Sequence, residues 1–273
     1  MIREIASDAI MTASKRSKFL LLGDSLTQLS FGGWGSELAD VYQRRADVLN
    51  RGMSGYNSRW YLRYAEETGI WNEPGKVALV TIFFGANDAA KKDLEPQVHV
   101  PLDEYKTNIE KLVDKAKESY PNAKMLIMTP PPVHPGQRLE YQKKRYGDKA
   151  TGVLERTTEI AGTYAAACRE VAKTKDVPCV DIFTAMRAAE GNTDEDDIGR
   201  FFYDGLHFNK TGNKFVYDTL AKVISKNFPS LEVRPCPKTG RYNNSASICE
   251  GIENSGPYVD EVKAKRKWEE AFE

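Results

Sequence analysis

Apolar runs alternate with helix-like stretches along most of the chain. Short runs rich in branched and aromatic residues predict strands at 19–22, 48–52, 77–84, 124–129 and 177–183. Between them, apolar residues at intervals of three and four predict a helix that starts near Trp34 and further helices over 60–67, 105–119, 154–175 and 208–228. This alternation is typical of a parallel, doubly wound sheet with helices on both faces. We therefore predict an α/β fold.

Both ends of the chain lack the alternation. Residues 1–17 are polar and mixed in charge, so we expect a loose leader there, followed by one domain over 18–228. Residues 229–273 are richer in Pro, Asn, Gly and charge, and 259–272 resembles a short charged helix. We expect this C-terminal extension to pack on the domain or on a second copy of the chain. Inside the domain, 137–152 is predicted to be a surface loop or lid, and 192–198 an acidic loop.

The overall composition argues against several classes of protein. Lys plus Arg and Asp plus Glu both number 39, so no net charge attracts nucleic acid or an anionic membrane surface. No apolar run approaches the ~20 residues of a membrane-spanning helix, or the length of a signal-peptide core. We therefore expect a cytoplasmic protein without a membrane span.

The histidines and cysteines do not form a metal-binding pattern. The histidines are His99, His134 and His207, and none lies at metal-ligand spacing from another histidine or from a cysteine. The chain also contains no P-loop sequence, and its Gly32-Gly33-Trp34-Gly35 stretch does not have the spacing of a dinucleotide fingerprint. We expect neither a metal nor a cofactor.

Ser25 is the first candidate for chemistry. The apolar run 19–22 leads into Gly23-Asp24-Ser25, where glycine permits a sharp turn at the end of a strand. Ligands bind at the carboxyl ends of strands in open α/β sheets, which makes Ser25 a candidate nucleophile. We expect Asp24 to order the turn around it. A serine becomes reactive only where a base and an electrophilic pocket accompany it.

Asp204 and His207 offer the base and its partner. A lone histidine is more often structural, but His207 follows an aspartate by three residues and precedes the last predicted helix. In a serine hydrolase the histidine takes the serine proton while a carboxylate orients the imidazole. The sequence therefore predicts a triad of Ser25, His207 and Asp204.

Three donors for a developing oxyanion follow predicted strands. They are the backbone N–H groups of Ser25 and Gly52 and the side-chain amide of Asn87. A pre-placed donor of this kind contributes ~3–4 kcal/mol to transition-state stabilisation. Taken singly, Gly52 and Asn87 would be turn residues. The chain has no G-x-S-x-G sequence, so the nucleophile elbow of the α/β-hydrolases is not indicated.

Four separated blocks, in this order, resemble those of the SGNH or GDSL hydrolases. They are Gly23-Asp24-Ser25-Leu26, Gly52, Gly85-Ala86-Asn87-Asp88 and Asp204-Gly205-Leu206-His207. The resemblance implies Ser25 as nucleophile, His207 as base and Asp204 as its orienting partner, with Gly52, Asn87 and the Ser25 amide as oxyanion donors. It also implies a flavodoxin-like, three-layer α/β/α fold around a central parallel sheet of about five strands.

Within that family the chain is most similar to the isoamyl acetate-hydrolysing esterases. Asn-Arg-Gly-Met-Ser-Gly-Tyr around Gly52, Phe-Phe-Gly-Ala-Asn-Asp-Ala and Asp-Gly-Leu-His-Phe carry this resemblance. It implies hydrolysis of short-chain, acetate-type esters of small alcohols through an acyl-enzyme on Ser25. The same triad would also serve a lysophospholipase, a thioesterase, a carbohydrate acetyl esterase or an acyltransferase to alcohols. An inactive binding module on this fold is the non-enzymatic alternative.

Overall fold

A five-stranded parallel sheet forms the centre of the protein in the computed structural model, which describes residues 16–189, 196–242 and 249–252. Every strand pair is parallel, and the spatial order is β2-β1-β3-β4-β5. The predicted sheet is therefore confirmed. Its strands are β1 (Ser17–Gly23), β2 (Ala46–Gly52), β3 (Val77–Phe83), β4 (Lys124–Met128) and β5 (Cys179–Val180).

Helices connect the strands. In the described residues they are α1 (Ser25–Gln28), α2 (Trp34–Val41), α3 (Ser58–Glu67), α4 (Leu102–Ser119), α5 (Pro135–Tyr146), α6 (Thr158–Thr174), α7 (Ile182–Arg187) and α8 (Lys210–Asn227). Short 3₁₀ turns occupy Leu29–Gly32, Ile70–Asn72, Gly147–Lys149, Asp196–Phe201 and Pro229–Leu231. Asn209 caps α8, because its side-chain oxygen accepts the N–H of Gly212 at 3.0 Å.

The two faces of the sheet bury different side chains. Phe19 and Leu21 of β1 belong to one apolar cluster, whereas Leu20 and Leu22 belong to the other, as the two-residue period of a strand requires. The first cluster includes buried residues of α2 and α8, and the second includes those of α3 and α4. The structure thus has the three layers that the alternation predicts.

The strand order places a topological switch point beside β1. The chain passes from β1 to β2 on one side and then returns to β3 on the other. Gly23, at the end of β1, is in register with Gly52 of β2 and with Phe83 of β3. Since ligands of open α/β sheets bind at such a switch point, the segments that follow these strands share the expected location of a site.

The prediction of a loop over 137–152 was wrong, because most of the segment is helix α5 followed by a 3₁₀ turn. Pro135 lies in the first turn, and the His134 side chain accepts the N–H of Gln137 at 3.1 Å. The inward face of α5 carries Arg138 and Gln142, which are buried but polar. With no apolar stripe, the hydrophobic pattern gives no sign of this helix.

The predicted strand at 177–183 was too long, since β5 ends at Val180 and α7 begins at Ile182. Asp181 between them caps α7, its carboxylate accepting the Thr184 N–H at 3.1 Å. An apolar run of this kind fits either element, and here the cap decides the boundary. Most of the predicted acidic loop, residues 192–195, lies outside the described residues, and its last part begins the 3₁₀ turn at Asp196.

The described part of the C-terminal extension packs on the domain. Leu231, Val233 and Ile252 are buried in the cluster that α2 and α8 share. The hydroxyl of Tyr42 donates to the carbonyl of Leu231 at 2.6 Å, which joins the extension to the end of α2. The predicted helix at 259–272 and leader residues 1–15 lie outside the described residues. Within the described residues, no helix has the length and apolarity that crossing a bilayer requires.

Candidate active site

Ser25 begins α1 immediately after β1. The carboxylate of Asp24 accepts the N–H of Leu26 at 2.8 Å and so caps this one-turn helix. The indole of Trp34 donates to the carbonyl of Leu26 at 3.0 Å and fixes the other side of the turn. The prediction that Asp24 orders the turn is confirmed. As the first residue of α1, Ser25 has a backbone N–H without an acceptor inside the helix.

Ser25, His207 and Asp204 form a continuous chain of hydrogen bonds. His207 Nε2 lies 2.9 Å from Ser25 Oγ, and its Nδ1 lies 2.7 Å from Asp204 Oδ2. A carboxylate on Nδ1 favours the tautomer with a proton on that nitrogen. Nε2 then carries the lone pair, which can accept the Ser25 hydroxyl proton. Ser25 and His207 are 182 positions apart in the chain, so this contact depends on tertiary structure alone.

The turn around Asp204 holds its carboxylate in place. Asp204 Oδ1 accepts the N–H of Leu206 at 3.0 Å and that of His207 at 2.8 Å, which leaves Oδ2 for the imidazole. Burial raises the pKa of Asp204, but hydrogen bonds from His207 and these backbone N–H groups outweigh burial and bring it below its ordinary value. Asp204 is therefore an anion that can stabilise a protonated His207.

Gly52 lies against the backbone of α1. A β-carbon at this position would lie 2.1 Å from the backbone nitrogen of Gln28, so a larger residue would displace the helix that bears Ser25. The N–H of Gly52 donates to the side-chain oxygen of Asn50 at 2.9 Å, and the amide nitrogen of Asn50 donates to the Thr27 carbonyl at 2.8 Å. In the predicted oxyanion role, the Gly52 N–H would have to serve both the substrate and Asn50.

Asn87 follows β3 and is almost fully buried. Its Nδ2 donates to the carbonyl of Tyr56 at 2.9 Å, and its Oδ1 accepts from Arg156 Nη2 at 3.1 Å. An amide nitrogen carries two hydrogens, so one N–H of Asn87 remains after the bond to Tyr56. This is the group that the predicted oxyanion role requires.

A cavity of about 170 Å³ opens beside the Ser25 hydroxyl. Leu26, Leu29 and Phe208 give it apolar walls, and its remaining lining comes from Ser25, Gly32, Tyr203, His207 and Asn213. Among the described residues that line this cavity, none comes from α5, so the segment predicted as a lid does not cover it. A larger cavity, about 830 Å³, lies between α3 and α4 and contains none of the predicted site residues.

Two buried carboxyl groups lie behind the nucleophile turn. Burial raises the pKa of Asp24 to about 7, and the nearby Asp88 adds to this effect against the Leu26 N–H. Burial also raises the pKa of Asp88 to about 6, although Ser58 donates to its Oδ1 through its hydroxyl and its backbone N–H. The remaining oxygen of each carboxyl is buried without a hydrogen-bond partner. Neither group is among the residues that line the cavity beside Ser25.

Sequence reasoning missed several residues around the site. Arg156, Glu155 and Arg138 form a buried polar group next to Asn87 and Asp204, and no spacing or motif in the sequence indicates it. Tyr203 stacks its ring on that of His207, with centroids 5.7 Å apart and planes inclined by 15°. Its position next to Asp204 in the chain is the one signal that could have pointed to Tyr203. In the described part of the chain, no cluster of His, Cys, Asp and Glu could hold a metal ion.

Comparisons with known proteins point to one family. The family model described as GDSL-like lipase/acylhydrolase matches residues 19–220. A GDSL esterase/lipase of Arabidopsis thaliana is 40% identical over 217 residues, which cover 77% of this chain and 87% of the relative. An isoamyl acetate-hydrolyzing esterase 1 homolog of Mus musculus is 40% identical over 219 residues, covering 78% and 84% respectively.

Solved structures with the same fold share less sequence. A lipase/acylhydrolase from Enterococcus faecalis superposes with a TM-score of 0.56 at 22% identity, covering 77% of this chain and 96% of that chain. An acetyl xylan esterase superposes with a TM-score of 0.60 at 19% identity, covering 76% and 99%. At these identities the likeness establishes the fold.

Proposed function

Because this chain belongs to the GDSL-like lipase/acylhydrolase family and is a carboxylic ester hydrolase, we propose that Ser25, His207 and Asp204 are its catalytic triad. The observation that carries this proposal is the hydrogen-bond chain from Ser25 Oγ through both nitrogens of His207 to Asp204 Oδ2. In this arrangement the histidine is the base, and the carboxylate stabilises the imidazolium that forms.

The reaction proceeds through two acyl transfers. Ser25 Oγ forms a bond to the ester carbonyl carbon while its proton moves to His207 Nε2. The carbonyl oxygen becomes an oxyanion, which accepts hydrogen bonds from the N–H groups of Ser25, Gly52 and Asn87. As the intermediate collapses, His207 gives the proton to the leaving alcohol, and the acyl group stays on Ser25. Water then repeats the sequence with His207 as base and releases the acid.

We further propose that the substrates are short-chain, acetate-type esters of small alcohols. The cavity beside Ser25 holds about 170 Å³, which is small compared with the ~300–1,000 Å³ of sites for drug-sized ligands. Its walls at Leu29 and Phe208 are apolar, which suits an alkyl group. The similarity to an isoamyl acetate-hydrolyzing esterase homolog supports the same substrate class.

A chain-length series of p-nitrophenyl esters, from acetate to palmitate, tests both proposals. We expect kcat/KM to be highest for acetate to butyrate and to fall steeply for longer acyl chains, because the cavity cannot enclose them. Ser25→Ala should lower kcat by at least about 10³-fold. Ser36→Ala is the matched control, because Ser36 is exposed on α2 and bonds to the carbonyl of Gly33.

Other outcomes would redirect the assignment. A maximum at long acyl chains would contradict the short-chain proposal and favour lysophospholipids or long-chain acyl thioesters. Preference for acetylated oligosaccharides over alkyl acetates would favour a carbohydrate acetyl esterase. Full activity in Ser25→Ala, or failure of a fluorophosphonate probe to label the wild type, would contradict Ser25 as nucleophile.

A further inference from the structure

Arg156 is a buried cation attached to the turn that carries Asn87. Only 6% of the residue is exposed. Its Nε donates to the carbonyl of Ala86 at 2.8 Å, and its Nη2 donates to Asn87 Oδ1 at 3.1 Å. These contacts join residues about 70 positions apart, so they are not part of a local turn. Burying a guanidinium without a partner would cost several kcal/mol, so its hydrogen-bond and ion-pair partners are needed to hold it in the interior.

Arg156 and the Tyr56 carbonyl together determine which way the Asn87 amide faces. The oxygen and nitrogen ends of a carboxamide have nearly the same shape, so only hydrogen bonds select one orientation. A guanidinium donates and cannot accept, which requires the oxygen of Asn87 at that end. The nitrogen then bonds to the Tyr56 carbonyl at 2.9 Å. A flipped amide would place an oxygen where the proposed oxyanion needs a donor.

Glu155 pairs with the guanidinium and holds it in place. Its Oε1 accepts from Arg156 Nη1 at 3.0 Å and from Arg138 Nε at 2.5 Å, and Gln142 donates to its Oε2. Burial raises the pKa of Glu155, but the two guanidinium groups outweigh burial and bring it below its ordinary value. Glu155 is thus an anion between two cations, and the group has little freedom to rearrange.

The same buried group also contacts the proposed triad. Arg138 Nη1 lies 3.5 Å from Asp204 Oδ2. The main chain at the start of α5 is attached to the turn that follows Asp204, because the N–H of the capping residue His134 donates to the carbonyl of Gly205 at 2.9 Å. Asn87 on one side and Asp204 on the other are therefore held by one set of packed polar side chains. Arg156 itself is not among the residues that line the cavity beside Ser25.

We propose that Arg156 is a positioning residue for ester hydrolysis, which orients the Asn87 carboxamide so that one Nδ2–H faces the substrate oxyanion. It acts through Asn87 and does not touch the substrate. The positive charge of Arg156 next to the amide oxygen also polarises the Asn87 amide and strengthens its N–H as a donor. This inference rests on the proposed role of Asn87 as an oxyanion donor.

A double-mutant cycle separates positioning from general structural support. Asn87→Ala should lower kcat about 100-fold, the typical cost of losing one oxyanion donor. Arg156→Met should lower kcat by at least about 10-fold with little change in KM, because the lost interaction belongs to the transition state. In the Asn87→Ala background, Arg156→Met should cost less than about 2-fold more, since no amide remains to be oriented.

Control variants address folding and charge. Arg169→Met removes a partly buried, ion-paired arginine from α6, far along the chain from Asn87, and should retain wild-type kcat. Arg156→Lys keeps the charge, but its single nitrogen cannot occupy the separate positions from which Nε, Nη2 and Nη1 of Arg156 donate to Ala86, Asn87 and Glu155. We therefore expect kcat to be reduced at a melting temperature near that of the wild type. This variant carries the test if Arg156→Met does not fold.

A transition-state analogue provides a second readout. Ser25 Oγ adds to the carbonyl carbon of a short-chain trifluoromethyl ketone while its proton moves to His207, and the ketone oxygen becomes a tetrahedral oxyanion. Arg156→Met should weaken binding of the ketone by about the same factor by which it lowers kcat, because both depend on stabilisation of the oxyanion. KM for the ester should change little.

Defined results would overturn the inference. It fails if Arg156→Met and Asn87→Ala lower kcat independently, if Arg156→Lys has wild-type kcat, or if only KM changes. Unchanged kcat in Asn87→Ala would remove the donor role and this inference with it. Loss of activity in Ser25→Ala would still support the nucleophile in that case, so the two proposals can fail separately.

Discussion

Asp24 gives the protein a stability that should fall as the pH rises through neutrality. Its pKa is raised from 3.8 to about 7 in the folded state, chiefly by burial. The unfolded chain has already released this proton near pH 5, so between pH 5 and 8 the folded state binds more protons than the unfolded state. The contribution of Asp24 to stability is then largest at low pH and is lost as the folded group ionises. A single group with these two pKa values loses about 1.4 kcal/mol between pH 6 and pH 8.

Asp24→Asn removes this titration while keeping an oxygen that can accept the Leu26 N–H. The new amide nitrogen replaces Oδ2, which is buried without a hydrogen-bond partner, so a constant cost of ~1–3 kcal/mol is expected. That cost shifts the whole curve of unfolding free energy against pH, whereas the loss of the titrating carboxyl changes the slope of that curve. The unfolding free energy of the wild type minus that of the variant should therefore fall by about 1.4 kcal/mol from pH 6 to pH 8.

Urea denaturation at intervals of half a pH unit measures this difference. Subtracting one curve from the other cancels the contributions of every other group that titrates alike in both proteins. Asp40→Asn, at an exposed position of α2, serves as the control and should parallel the wild type. Parallel curves for wild type and Asp24→Asn would refute the argument, because they would mean that Asp24 is ionised throughout the range.

Two further predictions concern the nucleophile turn and the C-terminal extension. Gly52→Ala should lower kcat/KM by about 100-fold in a p-nitrophenyl acetate assay, because its β-carbon would lie 2.1 Å from the Gln28 nitrogen and displace α1. Gly136→Ala is the control and should match the wild type, since the nearest atom to its β-carbon is 3.4 Å away. Equal kcat/KM for the two variants would contradict this prediction. Truncation after residue 228 should lower the unfolding free energy, measured in urea, by at least about 3 kcal/mol, because Leu231 and its buried neighbours are removed from the core. An unchanged unfolding free energy would contradict the packing of the C-terminal extension on the domain.

The truncation also bears on assembly, which stays a prediction. The part of the extension that the structure describes buries its apolar residues against the same domain. Size-exclusion chromatography of the full chain and the truncated chain, both checked for folding, would test whether copies associate through residues 229–273. Equal apparent masses would contradict association through the extension.

The class of fold and the identity of the predicted chemical groups can be read from the amino-acid sequence. All seven residues of β3 are buried and all but Thr81 are apolar, so the hydrophobic pattern shows this strand directly. Ser25 and Gly52 follow or end strands, and parallel strands bring their carboxyl ends to one edge, so a linear motif implies a shared location. Helix α5 does not show in the hydrophobic pattern, because its buried face is polar.

Tertiary structure alone decided how the groups meet. The 2.9 Å contact between Ser25 and His207 spans 182 residues, and no local pattern specifies such a distance. Arg156 was invisible for a related reason, since a buried arginine and a surface arginine look alike in a sequence. The burial that raises the pKa of Asp24 and the hydrogen bonds that Asn87 makes to Tyr56 and Arg156 involve residues from separate parts of the chain. Sequence periodicity records which face of an element is apolar, whereas packing decides which polar groups share that interior.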